Sequence, residues 1–367
     1  MSYNWQQKDW PRFRFKQEGF EDLLFQFAED SGKVSGVLQG LSAVDQLEAV
    51  IFNRVLEAMK TSEIEGEYLS RQDVMSSIRN HLGLNSILEL VKDQKAAGVS
   101  ELMINARETY AEKLDATMLF NWHRMLMKGN ATIKVAVWRS DKEPMQVVSG
   151  AIGLEVVHFQ APPSGSVPTL MEEFIQWFNE TAPGGLKTIK SGPIRAALVH
   201  LYFETIHPFE DGNGRIGRAL AEKSLAQSLG RPVLLSLSHS IEKAKKKYYQ
   251  ALESAQGDNE VTDWLHYFIS TLVDAQQDVQ AQIGFVLKTG KFFDRFRSQL
   301  NPRQMKVIKR MIAAGPKGFE GGINARKYIG IAKTSKATAT RDLQDLLTKG
   351  VLEAYGGGRN TSYQLDY

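Results

Sequence analysis

From Phe20 to about Leu69, apolar side chains return every three or four residues: Leu23, Leu24 and Phe27, then Leu41, Val44, Leu47, Val50, Ile51, Val55 and Leu56. That period marks one face of an α-helix, not the alternation of a strand. It continues through roughly Asp73–Gly98 and Ser100–Lys128, where Leu114, Met118, Leu119, Trp122 and Leu126 share a face. Further helices are expected over Val167–Asn179, Pro193–Glu204, Asn213–Leu229, Ile241–Ala255 and Thr262–Thr289. Ile133 to Val148 is different: short, β-branched and interrupted by Ser140-Asp141-Lys142-Glu143-Pro144, it reads as a small β-hairpin. A mainly α fold with one hairpin is therefore expected. Pro11 argues against a helix in the aromatic stretch Trp5–Phe15, which reads as an extended segment pinned against a larger body.

The 367 residues contain no cysteine, which excludes disulfides, thiolate nucleophiles and Cys-based metal sites. No run approaches the ~20 apolar residues of a membrane span, and the first residues lack an apolar signal core. No membrane partner is expected, and the cytoplasm is the expected location. The net charge of +3 hides an asymmetry: from Val286 onward there are 16 Lys and Arg against 6 Asp and Glu, leaving 29 against 36 in residues 1–285. This basic end has its own pattern. A helix from Pro302 to about Ala314, a short one over Ile323–Ile331 and a third from Thr334-Ser335 to Lys349 precede two strands, Val351–Tyr355 and Thr361–Leu365. Three helices and a terminal hairpin are the layout of a winged helix-turn-helix. Lys333, Lys336 and Arg341 cluster where a recognition helix would meet DNA, and Arg359 tips the wing.

The densest run of reactive residue types is His207-Pro208-Phe209-Glu210-Asp211-Gly212-Asn213-Gly214-Arg215-Ile216-Gly217-Arg218, between two expected helices. Gly212 and Gly214 permit close approach to a ligand, and the free N–H groups of a helix beginning near Asn213 form an anion site. Arg215 and Arg218 can clamp further phosphate oxygens. Asp211 is a hard-oxygen ligand suited to Mg²⁺ held between phosphates. His207 can take a proton from a hydroxyl at neutral pH. Base, metal ligand, anion hole and arginine clamp together point to phosphoryl or nucleotidyl transfer.

The segment resembles the signature of Fic-domain proteins, H-x-F-x-[D/E]-G-N-G-R-x-x-R, at every fixed position: His207, Phe209, Asp211, Gly212, Asn213, Gly214, Arg215 and Arg218. The resemblance implies transfer of AMP from ATP to a hydroxyl side chain of a target protein. In that reading His207 deprotonates the hydroxyl and Asp211 holds Mg²⁺ (or Mn²⁺) on the α- and β-phosphates. Gly212, Asn213 and Gly214 make the anion hole, Arg215 and Arg218 contact the β- and γ-phosphates, and Phe209 anchors the loop. Val135–Gly150 resembles the family's flap, with Val147, Val148, Ser149 and Gly150 beside the nucleotide and the target docked along the strand. Trp138-Arg139 stands where a Tyr-Arg pair is usual. Tyr248 and Tyr249 resemble the adenine-pocket helix, with Gln256 where Asn is frequent.

Thr61-Ser62-Glu63-Ile64-Glu65-Gly66 resembles the family's inhibitory motif, [S/T]-x-x-x-E-[G/N]. Thr61 and Glu65 are four apart and share a helix face. The resemblance implies that Glu65 pairs with Arg218 and blocks seating of the γ-phosphate, with Glu63 and Glu67 as surface acids. The expected division is an N-terminal segment with this helix (1–100), a Fic core (101–285) and the winged helix (286–367). Candidate partners are a target protein offering a Ser, Thr or Tyr hydroxyl, a second copy of the chain, and DNA through the C-terminal module. AMP removal or transfer of another phosphate-linked group by the same site, or a DNA-binding regulator with a nucleotide-sensing core, are the competing readings.

Overall fold

The computed structural model describes residues 2–16, 18–130, 132–149, 156–316, 318–357 and 361–367. Its helices are α1 (Glu21–Gln39), α2 (Ala43–Ile64), α3 (Arg71–His81), α4 (Gln94–Glu108), α5 (Ala116–Leu126), α6 (Val167–Glu180), α7 (Gly192–Ile206), α8 (Asn213–Leu229), α9 (Leu237–Lys243), α10 (Lys245–Ala255), α11 (Thr262–Phe296), α12 (Pro302–Ile312), α13 (Ala325–Ala332) and α14 (Lys336–Thr348). Two antiparallel pairs complete the described chain: β1 (Gln146–Ser149) with β2 (Val156–Gln160), and β3 (Leu352–Tyr355) with β4 (Ser362–Leu365). The mainly α expectation holds. Among the described residues no helix is long and apolar enough to cross a membrane. The chain forms two compact units, Met1–Val34 with Val50–Val279, and Ser35–Ala49 with Gln280–Tyr367.

The first unit is organised on α7 and α8. Every residue of α7 is buried, the polar Arg195, His200 and Glu204 among them, which makes it the central helix of this unit. Ser191 caps it at its N-terminus, its hydroxyl accepting from Ile194 N. Trp264 of α11 donates to Ala197 O at 2.9 Å across this core. Helix α2 runs antiparallel along α8. Arg54 Nη1 donates to Glu222 Oε1 at 2.6 Å, and one helical stretch later Thr61 meets Arg218. Glu57 fixes the next element, accepting from Ser236 Oγ at 2.8 Å and Ser238 N at 3.1 Å at the start of α9. The aromatic N-terminal stretch is pinned as its sequence suggests. Trp10 packs edge-on against Tyr202, Asn4 N donates to Gln256 O at 2.8 Å, and Arg14 N to Asn259 O at 2.7 Å.

Three expectations are corrected. The helix expected over Asp73–Gly98 breaks, because the Asn80 side chain holds residues 85–89 as a loop, bonding to Asn85 and to both Glu89 N and Glu89 O. Ile241–Ala255 is split at Ala244, whose φ of −134° lies outside the helical region. The hairpin does not lie within 133–148. Its strands are β1 and β2, registered Gln146↔Gln160, Val147↔Phe159, Val148↔Val157 and Ser149↔Val156 with a bulge after Val147. Residues before β1 are held elsewhere: Ala136 N bonds to His123 and Arg139 N to Pro208 O. They are therefore not available as a ladder partner.

The second unit contains the three helices α12–α14 and the pair β3–β4. Val307, Ile308, Met311, Tyr328, Leu343 and Leu346 fill its core. Asn301 opens α12 with a capping box to Gln304. Asp342 of α14 accepts from the Tyr328 hydroxyl at 2.9 Å and Arg303 Nε at 3.0 Å, joining the three helices. Ile323 bridges Tyr363 beside β4.

Candidate active site

His207 closes α7 in the left-handed region, φ 50° and ψ 61°. The chain then turns and re-enters helix at α8, with Gly212 as its N-cap at φ +86°. The positive φ at Gly212 favours glycine, and a Cβ there would also press on the side-chain ends of Met127, 2.6 Å from Cε, and Leu126, 2.9 Å from Cδ2. Asn213 does not point at a ligand. Its Oδ1 accepts from Phe209 N at 2.9 Å and its Nδ2 donates to Phe209 O at 2.8 Å, clipping the loop shut. Phe209 is fully buried, stacked on His123 at 4.2 Å and flanked by Trp138 and Phe120.

His123 belongs to no motif in the sequence, yet it holds the loop. Its Nδ1 accepts from Ala136 N at 2.8 Å, which leaves Nε2–H to donate to Asp211 O at 3.2 Å. Burial lowers the pKa of this ring, favouring the neutral tautomer those bonds need. The one signal for it is its place among Leu119, Trp122 and Leu126 on the buried face of α5.

Asp211 Oδ1 accepts from Gly212 N at 2.5 Å and Arg215 Nη2 at 3.2 Å, and the side chain is about half exposed. Arg215 also pairs with Glu67 Oε2 at 2.5 Å. Arg218, only 1% exposed, donates Nε to Thr61 Oγ1 at 2.8 Å, and Nη2 to both Thr61 O at 2.9 Å and Glu65 Oε1 at 2.7 Å. Burial raises the Glu65 carboxyl, but Arg218 beside it more than offsets this and holds the carboxyl below its usual range. A Cβ on Gly214 would lie 2.3 Å from Glu65 Oε1, so the carboxylate rests directly on the start of α8. Arg215 Nε and Arg218 Nη1 are buried without a hydrogen-bond partner among the described residues. The expectation for Glu67 is corrected: it lies just past the end of α2, where the turn at Gly66 directs it onto Arg215. Glu63 instead pairs with Lys60 on its own helix.

Residues 113–225, which carry this loop, match the Fic/DOC family. This stretch is a Fic/DOC domain. Residues 3–84 match a domain of unknown function (DUF4172). A probable protein adenylyltransferase of Aquifex aeolicus is 28% identical over 204 residues, 52% of this chain and 56% of that protein. The protein adenylyltransferase Fic of Drosophila willistoni is 27% identical over 171 residues, 45% of this chain and 31% of that protein. The chain thus spans about half, or less, of the curated relatives it matches. A Fic family protein from Desulfovibrio desulfuricans aligns at TM-score 0.54 and 19% identity, covering 97% of this chain and 98% of that one. A Fic domain containing signaling protein from Bacteroides thetaiotaomicron aligns at TM-score 0.52 and 20% identity, covering 70% and 95%. At these identities the likeness establishes a shared fold.

A cavity of about 720 Å³ opens beside the loop of the Fic domain. Glu65, His207 and Gly214 lie at one side, and Val147, Val148 and Phe159 of the hairpin at another. Tyr248, Tyr249 and Gln256 line it from α10 and its end. Tyr248 is buried, its hydroxyl 2.9 Å from His200 Nε2, while Tyr249 donates to Ile64 O at 3.3 Å and so touches the end of α2. The Gln256 side chain donates to Glu204 O at 3.3 Å. Ser149 belongs to β1, whereas Gly150 lies outside the described residues. Burial pushes the Glu204 carboxyl up to about 8, so it is largely neutral at pH 7. Burial first, then the charge of Arg139, pushes the His207 ring down to about 4.

Asn213→Ala is expected to strip two buried backbone groups of their partners. Each unsatisfied group costs roughly 1–3 kcal/mol. Urea denaturation followed by circular dichroism should therefore show a loss of at least ~1 kcal/mol. An unchanged midpoint would mean that the loop does not depend on this clip.

Proposed function

We propose that the protein is a protein adenylyltransferase, moving AMP from ATP to a hydroxyl of a target protein and held inactive by Glu65. The observation that carries this reading is the pair of buried, unpartnered guanidinium N–H groups among the described residues, Arg215 Nε and Arg218 Nη1, beside the N-terminus of α8 on which the Glu65 carboxylate rests. Such donors call for an anion, and His207 stands at the same cavity. Its lowered pKa keeps the ring neutral at pH 7, the form a general base requires. The target oxygen attacks the α-phosphorus while its proton passes to the His207 imidazole. The bond from α-phosphorus to the bridging oxygen breaks, and pyrophosphate leaves.

The donor set fits a magnesium ion, or manganese by the same oxygen ligands. Asp211 keeps Oδ2 free of hydrogen bonds, and among the described residues no three His, Asp or Glu side chains form a metal cage. One carboxylate completed by phosphate oxygens and water is the usual Mg²⁺ arrangement. When bound, the ion would neutralise charge on the phosphates. Within the described residues β1 is paired along one edge only, which suits addition of a target segment as a further strand.

Glu65 accounts for control. Its carboxylate occupies the anion position at Gly214 and draws one arm of Arg218 away from any phosphate. Glu67 does the same for one arm of Arg215. A displacement of ~1 Å at the reacting atoms can cost ~10²-fold. Label transfer from α-labelled ATP should rise strongly in Glu65→Gly, rise less in Glu67→Gly, and change little in Glu63→Gly. Equal activation by all three would show that loosening of α2, rather than these ion pairs, sets the rate.

In the Glu65→Gly background, His207→Ala should lower transfer by ~10²–10⁴ while ATP still binds. Asp211→Ala should remove the Mg²⁺ dependence of ATP binding, measured by calorimetry. Transfer within about tenfold of the parent in His207→Ala would contradict the base assignment.

The C-terminal unit supports a second role. Lys333, Lys336 and Arg341 are exposed near the start of α14, and none makes an ion pair among the described residues; Arg359 lies outside them. We read this face as a winged helix that contacts DNA phosphates. In a gel-shift series of the full chain against salt, changing Lys336 or Arg341 to Ala should make the log–log slope shallower by about 0.9 for each phosphate no longer neutralised. Unchanged slopes would assign the face to protein docking.

A further inference from the structure

His207 occupies a backbone conformation that non-glycine residues disfavour, so its neighbours must fix it there. One side chain does most of this. Arg139, in the segment before β1, is 4% exposed. Its Nε donates to His207 O at 2.7 Å, and its Nη2 to Ile206 O at 3.2 Å and Pro162 O at 2.5 Å. Its own N–H donates to Pro208 O at 2.9 Å. Three successive carbonyls, 206 to 208, are thus bonded to a single residue, and the fourth bond ties them to the end of the hairpin. Trp138, next in the chain, packs on Phe209 from the same segment.

The guanidinium meets only carbonyl oxygens among the described residues. Its charge is offset by the partial negative end of α7 rather than by a carboxylate. That leaves its field felt by the nearby imidazole. The ionisable groups that act on His207 are Arg139, Glu204, Glu65 and Asp211. Burial and Arg139 favour the neutral ring, while a hydrogen bond to the Glu204 backbone and the charges of Glu65 and Asp211 oppose them. The Glu204 side chain is 3.8 Å from His207 Nδ1, outside hydrogen-bond reach, and largely neutral at pH 7.

We propose that Arg139 is the positioning residue of His207: it locks the backbone from which the imidazole projects and places a positive charge beside it, so that the segment leading into the hairpin and the base move as one piece. This deepens the adenylyltransferase reading and rests on it for its kinetic part. Capping of α7 alone would require only the bond to Ile206 O. The bonds to His207 O and Pro208 O lie beyond the helix and serve the loop.

The test uses the full chain carrying Glu65→Gly, with Arg139→Lys and Arg139→Gln added singly. Lysine keeps the charge and loses the planar fork, whereas glutamine loses the charge. Both should lower kcat for label transfer by ~10²-fold with KM for ATP little changed, because the residues that would hold the nucleotide are untouched. In parallel, the His207 ring is titrated by NMR, its signal assigned by its loss in His207→Gln. In Arg139→Gln the ring should titrate at higher pH than in the parent, since a neighbouring cation has gone; in Arg139→Lys it should stay close to the parent. A kcat within about threefold of the parent in both variants, or a His207 titration unmoved in Arg139→Gln, would overturn the proposal. If Arg139→Gln does not fold, the parent titration and Arg139→Lys decide. A ring titrating at the ordinary histidine value in the parent, or full kcat in Arg139→Lys, then overturns it. Absence of any transfer by the Glu65→Gly parent would instead count against the adenylyltransferase reading, and the titration would still judge Arg139.

Discussion

A guanidinium removed from water must find acceptors inside the protein, a carboxylate or a set of carbonyl oxygens, because an uncompensated buried charge is among the most destabilising features a fold can carry. Arg218 meets this requirement through α2, using Thr61 twice and Glu65 once. The position of α2 follows from that need together with a second buried pair, Arg54 with Glu222, further along the same two helices. Both contacts run between α2 and α8, so the register of one helix on the other is set at two points. With the register set, Glu65 arrives over Gly214 and Glu67 over Arg215.

The loop that these acids cover is held by bonds of a different kind, made to its backbone rather than between charges. Asn213 closes it on Phe209, His123 supports it from α5, and Arg139 grips its first carbonyls. None of these three side chains lines the cavity beside the loop, and each bonds to the loop backbone. A rigid cradle and a charged cover are therefore built from separate parts of the chain.

Much of this is readable in the sequence because the chemistry is concentrated. His207 through Arg218 supply their residue types in twelve consecutive positions, and Thr61 and Glu65 declare a shared helical face by spacing alone. The helix α6 is equally plain from its apolar period, whereas α7 and α8, buried on nearly every side, carry little of one. What escapes is whatever depends on contacts distant in sequence. Of the two cations paired with Glu67, Lys95 is 28 positions away and Arg215 is 148, and both are reached only after α2 has ended. Residues 133–145 have a strand-like composition but are bonded to α5 and to the loop after α7, so the hairpin forms one segment later. The break at Ala244 carries no glycine or proline to announce it.

The anchoring of α2 also bears on which part of it can change without disturbing the rest of the fold. Arg54 and Glu57 are buried, the one bonded to Glu222 and the other to the start of α9. Moving the helix as a body would expose both charges and uncap α9. The final turn, from Thr61 to Ile64, is largely buried and tied to Arg218 through Thr61 and to Tyr249 through Ile64 O, and the backbone leaves the helical region at Gly66. A change confined to the turn after Thr61 would therefore leave both buried charges and the cap of α9 in place, whereas a shift of the whole helix would not.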